Sequence, residues 1–209
     1  MSMLIFSQTE ENLILWTDTL VVDTDHRPTG LAQKAWALPD INVLVAATGT
    51  AEIALSFVEN LNRASGLTDI EDVNGRATGV LQAIHDTLEA HVGNIGRSTI
   101  YVWGFPADGG KLVRYIYRSM NNYQPERYVG DQFGAKPSPP GRELEMPSSH
   151  EDVIELALQL QQINRDSEHG VPSGGELIAT YLQRGDVRTQ LIFQFPDLEE
   201  SLKAIKERE

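Results

Sequence analysis

The chain has 209 residues, a net charge of −13 at neutral pH, 41% hydrophobic residues and 22% charged ones. This balance suits one soluble domain over residues 1–209 with a sizeable core, and the acidic charge argues against nucleic acid, which needs a basic footprint. Cysteine is absent, so neither disulfides nor thiolate metal sites are expected, which fits the cytoplasm; no stretch nears the roughly 18 apolar residues that span a bilayer, and the start MSMLIFSQTEE lacks the basic region and apolar length of a secretion signal.

Taken in order, Met3–Gln8 and Leu13–Thr17 predict a strand pair turning at Glu10-Glu11-Asn12, and Leu20–Asp23 continues extended. His26–Gly30, with Pro28 and Gly30, reads as a loop. Asn42–Thr48 is an apolar run of buried-strand length, closed by Gly49. A helix follows from Ala51 to Arg63, where Ile53, Ala54, Phe57, Val58 and Leu61 recur at helical spacing. Asn74-Gly75 suggests a turn before a second helix, Ala77–Val92. Ile100–Phe105 and Leu112–Tyr117 predict a hairpin around Asp108-Gly109-Gly110. Tyr123–Gly141 is rich in proline and glycine and reads as an irregular loop. Ser148-Ser149, with Glu151 and Asp152, is an N-cap pattern for a third helix carrying Val153, Leu156, Ala157, Leu160 and Ile163. Glu168–Gly175 reads as a loop, Glu176–Gln183 and Val187–Gln194 as a hairpin around Arg184-Gly185-Asp186, and the charged tail Asp197–Glu209 as a terminal helix. Strands and helices come in blocks, which excludes a doubly wound parallel sheet and predicts a layered α+β fold.

Chemistry concentrates near the chain start. Ser2, Asp18 and Lys34 are evenly spaced. If Met1 is removed, Ser2 carries a hydroxyl beside its own α-amine, and the strand pattern can return an acid and a lysine to that terminus. This arrangement suggests an N-terminal-nucleophile (Ntn) hydrolase. If Met1 stays, or if synthesis starts at Met3, that nucleophile–base pair does not exist.

The chain resembles the proteasome β-subunit family, and most closely its bacterial HslV-type peptidases. The resemblance rests on the opening strand–turn–strand, LILWTDT at residues 13–19, Lys34 before a strand, NVLVAATGTAEIA at residues 42–54, and INRDSEHGVPSGGELIATYL at residues 163–182. It implies a four-layer α/β/β/α sandwich and a peptidase with Ser2 in the place of the family's threonine. It further implies Asp18 and Lys34 as support, Gly49 as the oxyanion-binding glycine, Asp166 as an assisting acid, and Ala47 at the mouth of the specificity pocket. The family serine falls either at Ser173, which has the Gly-Gly context, or at His169, which is in register. Leu20 replaces the family's basic residue, and the family's Gly-Ser-Gly loop has no counterpart in Lys136–Met146.

The implied chemistry needs these residue types. A hydroxyl is a weak nucleophile near neutral pH. A free α-amine, with a pKa of roughly 7.7–8.0, is close to ideal as its base. A lysine ammonium lowers the pKa of both groups, an aspartate holds the lysine charged, and a glycine N–H can stabilise the oxyanion. A polypeptide substrate, a homo-oligomeric ring with contacts from faces such as Thr50–Arg63, and an AAA+ ATPase partner follow from the resemblance. No cofactor is expected. None of His26, His85, His91, His150 and His169 pairs with metal-ligand spacing, so no metal is expected either. A catalytically inactive scaffold or assembly subunit of the same fold, and a small-substrate amidase, are the alternatives.

Overall fold

Residues 3–138, 144, 146–167 and 170–208 are described by a computed structural model. The alternating start folds as expected: β1 (Leu4–Gln8) turns back into β2 (Asn12–Asp18) as an antiparallel pair with Leu4 opposite Thr17. A short pair follows, β3 (Leu20–Val22) with β4 (Pro28–Leu31). Then come β5 (Ala35–Leu38), β6 (Val43–Thr48), α1 (Ala51–Arg63), α2 (Ile70–Val92), β7 (Thr99–Gly104) and β8 (Val113–Arg118). The chain continues through β9 (Pro125–Val129), β10 (Gln132–Lys136), α3 (His150–Asp166), β11 (Glu176–Gln183), β12 (Asp186–Gln194) and α4 (Leu198–Lys206).

Two five-stranded antiparallel sheets carry the fold, in the orders β10-β1-β2-β11-β12 and β5-β6-β7-β8-β9. Their apolar residues fall into three cores. In the first, Val43, Val45 and Val102 of the second sheet pack on Ile53 and Phe57 of α1 and on Val73, Ala77 and Leu81 of α2. In the second, Leu4, Phe6, Leu13 and Leu15 of the first sheet meet Leu44, Ala46, Tyr101 and Trp103 of the second. The third joins Ile5, Trp16, Leu177 and Ala179 to Val153, Ala157 and Leu160 of α3. Alternate residues of β1 and of β6 thus serve different cores, as the two-residue period of a strand requires.

Several segments depart from the sequence-based expectation. The proposed loop His26–Gly30 contributes to β4, and Tyr123–Gly141 contains β9 and β10, which are edge strands of their sheets. Pro28 and Pro125 open β4 and β9, where a missing N–H costs least. Gly134 in β10 lies against Phe6, and a Cβ there would come 2.6 Å from the ring; this glycine makes room and does not break the strand. Residues 139–143 lie outside the described set. The expected turn at Asn74-Gly75 is a continuous stretch of α2, which starts at Ile70. Asp69 caps it, accepting the N–H groups of Glu71 at 2.9 Å and Asp72 at 3.0 Å, and Ile70 and Val73 are buried. Cap and burial together outweigh the roughly 1 kcal/mol cost of a helical glycine. The third helix has the cap its sequence suggested: Ser149 and Asp152 form a reciprocal capping box. Among the described residues no helix is long and apolar enough to cross a membrane.

Candidate functional site

The buried carboxylate of Asp18 organises the site. It ends β2, opposite Leu177 of β11, and is fully buried. Its Oδ1 accepts the Met3 N–H at 2.8 Å. Its Oδ2 accepts the Gly174 N–H at 3.1 Å and lies 2.8 Å from Lys34 Nζ. The lysine side chain is 12% exposed and also donates to the Leu20 carbonyl at 2.6 Å. A buried carboxylate is tolerated when it is paired and its lone pairs are filled, and Asp18 meets both conditions. The Lys34 ammonium has three donors, and bonds to Asp18 and Leu20 account for two of them among the described residues.

The loop before β11 closes over this pair through its backbone. The Gly174 carbonyl accepts N–H bonds from Thr19 at 3.2 Å and Leu20 at 3.1 Å, and Glu176 N–H donates to Thr19 Oγ1 at 2.9 Å. Gly175 has φ +76°, and a Cβ there would press on Thr19 Oγ1 and Leu31; only glycine meets both constraints. Ser173 is buried. Its Oγ accepts from Asn164 Nδ2 at 3.1 Å and its carbonyl from Gln161 Nε2 at 2.9 Å.

Lys34 directly precedes β5, whose Ala35 is opposite Ala46 of β6. Gly49 follows the C-terminal end of β6, so it stands at the same end of the sheet as Lys34. It is exposed, with φ +99°, and a Cβ would fall on the Arg97 carbonyl oxygen and 2.8 Å from Ser98 Cα. Its N–H makes no hydrogen bond among the described residues. Ala47 is buried in the core shared with Ile53, Ala54 and Phe57.

Asp18, Lys34 and the Ser173–Gly175 loop therefore meet. The structure does not bring Asp166 to them. It sits on the exposed side of the last turn of α3, where Gln162 Nε2 donates to it at 2.8 Å. The helical turn instead puts Gln161 and Asn164 on the buried stripe of α3, and these two hold Ser173. Sequence reasoning missed both. The available signal was a pair of amides continuing the apolar series Val153, Ala157 and Leu160. Ser2 and His169 lie outside the described residues. No group of three metal-binding side chains occurs among the described residues.

No protein-family model matches the sequence, and neither does any curated protein. Solved structures do match. Anbu (ancestral beta-subunit) from Yersinia bercovieri superposes with a TM-score of 0.64 at 11% identity, over 99% of this chain and 92% of that one. An Anbu (Gly-1) mutant from Hyphomicrobium sp. strain MC1 gives 0.62 at 13% identity, over 100% and 94%. The Anbu complex from Pseudomonas aeruginosa, solved as a helical assembly, gives 0.64 at 12% identity, over 99% and 92%. At such identities the likeness shows the fold alone, one shared with Anbu proteins. It corrects the resemblance drawn from sequence: these neighbours are Anbu proteins, a family distinct from the proteasome β subunits and HslV-type peptidases. The motifs around Asp18, Lys34 and Gly49 are short and do not separate related families.

Proposed function

We propose that the protein is an Ntn peptidase whose nucleophile is Ser2 after loss of Met1. We read the three cores as the interfaces of a four-layer α/β/β/α sandwich formed by the whole chain as one domain. The observation that carries the functional reading is the Asp18 carboxylate, which takes the Met3 N–H on one oxygen and the Lys34 ammonium on the other. Residue 2 is joined to that N–H by one peptide bond.

In this reading Ser2 Oγ attacks the scissile carbonyl carbon while its proton passes to the α-amine of Ser2. The oxyanion that forms accepts the Gly49 N–H. When the C–N bond breaks, the α-ammonium returns the proton to the leaving amine. Water, activated by the same amine, then hydrolyses the ester and frees Ser2. Lys34 lowers the pKa of hydroxyl and amine electrostatically, and Asp18 fixes Lys34 in place. Ser173, held by Asn164 and Gln161, retains an O–H donor for the terminus or a water. Asp166 supports this cycle only from a distance, and Ala47 bears on specificity only through its strand.

The substrate in this proposal is polypeptide, and the working form is a homo-oligomer. The assembly of the Pseudomonas aeruginosa Anbu complex supports the second point. Folded substrates reaching enclosed sites would call for an AAA+ unfoldase. The test is cleavage of a fluorogenic peptide by protein whose intact mass shows loss of Met1, beside Ser2→Ala. Cleavage lost in Ser2→Ala is expected. No cleavage by the processed protein in any assembly state would leave a scaffold in its place.

A further inference from the structure

Tyr123 adopts an unusual backbone conformation away from the Asp18–Lys34 pair. Asn122 and Tyr123 both have positive φ, 57° and 56°. For a bulky aromatic residue that conformation is an outlier which surrounding contacts must hold in place. Here they do. Tyr123 N–H donates to the Arg118 carbonyl at 2.9 Å, and Thr78 Oγ1 and Gln82 Nε2 of α2 donate to the carbonyls of Tyr123 at 2.8 Å and Asn122 at 3.0 Å. The ring is buried. Its hydroxyl lies 2.7 Å from Ser98 Oγ and 3.0 Å from His85 Nδ1. Burial raises the phenol's pKa, so the hydroxyl keeps its proton at neutral pH.

Ser98 connects this network to the site. Its backbone is fixed on both sides by Ser119, whose Oγ accepts the Ser98 N–H at 3.1 Å and whose N–H donates to the Ser98 carbonyl at 3.0 Å. The Arg97–Ser98 backbone is the surface on which Gly49 sits, too close for any Cβ. The other flank of the same turn is tied down as well, because Thr50 Oγ1 donates to the Ile95 carbonyl. A hydrogen-bonded chain thus runs from α2 through His85, Tyr123 and Ser98 to the seat of Gly49.

We propose that Tyr123, bridging His85 and Ser98, is a positioning residue that sets the Gly49 N–H as an oxyanion donor through the Arg97–Ser98 backbone. The proposal rests on the reading of Gly49 given above. Tyr123 touches no reacting atom in this account, so its loss acts on the transition state and leaves ground-state binding alone.

Tyr123→Phe keeps the ring and removes the bridge, and Ser98→Ala removes the same bridge from the other end. Two readouts decide the matter. Amide hydrogen exchange in the full chain should quicken in each variant at Ser98 and Ser119, whose N–H groups are bonded to each other's residue in the seat of Gly49, while α3 stays as protected as before. Peptide turnover should show kcat down by about tenfold with KM unchanged, the size of effect expected for a misaligned donor. The double variant should lose no more than either single one, because both break one chain. Unchanged exchange at Ser98 and Ser119 overturns the coupling whether or not the protein turns peptides over. Quickened exchange with full kcat in an active wild type overturns the catalytic role. An inactive, processed wild type instead counts against the peptidase reading, and the exchange result still decides whether Tyr123 seats the glycine.

Discussion

Asp18 cannot lose its charge without consequence, because Lys34 Nζ has only that carboxylate and the Leu20 carbonyl as partners among the described residues. Asp18→Asn keeps the shape and leaves a nearly buried ammonium uncompensated. The expected cost is about 3–5 kcal/mol in denaturant unfolding, the range for breaking one side of a buried pair. Lys34→Met should cost a comparable amount while abolishing peptide cleavage, since it leaves the fully buried Asp18 carboxylate with only the Met3 and Gly174 N–H groups. Equal stability of Asp18→Asn and wild type would contradict the assigned pairing. Legibility from sequence divides along the same line. The contact of Asp18 with Lys34 could be anticipated because the strand pattern puts an acid at the end of one strand and a lysine just before another. Asn164 and Gln161 could not, because neutral amides on a helix become site residues only once Ser173 is folded against them.

At the scale of elements, local signals competed, and the stronger one in energy prevailed. Asn74-Gly75 resembles a turn, yet Asp69 caps Glu71 and Asp72 and also accepts the Ala107 N–H at 2.6 Å, which ties the start of α2 to the β7–β8 connection. Asp69→Ala should therefore cost about 1–2 kcal/mol, near the upper end for an N-cap, and thermal unfolding would measure it. The edge strands β9 and β10 were illegible for a related reason. Glycine and proline mark loops in isolation, whereas an edge strand admits proline and β10 needs a glycine at Gly134 to clear Phe6.

Tyr115 offers a test of how α2 meets the second sheet. Burial first, and then the bond to Glu71, push its pKa up to about 12; its hydroxyl donates to Glu71 Oε2 at 2.6 Å. The folded protein holds this proton more tightly than the unfolded chain, whose phenol titrates near the ordinary value of roughly 10. Its contribution to stability is complete below about pH 10 and is lost as pH rises toward about 12. Unfolding followed across that window should show stability falling, with a shallower fall in Tyr115→Phe. Identical slopes for the two proteins would contradict the burial of this hydroxyl at the helix–sheet contact.

For the whole molecule, the block order of strands and helices was enough to predict a layered α+β arrangement, and two antiparallel sheets with helices packed on them are what the chain forms. The likeness to Anbu proteins was not legible at that scale. Short motifs near the chain start resembled HslV-type peptidases, whereas the structural likeness, at 11% and 13% identity, is to Anbu proteins and shows the fold alone. The most direct test of the central claim is to map the site of reaction with a peptide vinyl sulfone. The processed protein is incubated with the reagent, digested and sequenced by mass spectrometry. The account predicts one adduct, on the N-terminal Ser2, abolished by Lys34→Met. An adduct elsewhere, or none on a chain whose first residue is Ser2, would contradict it.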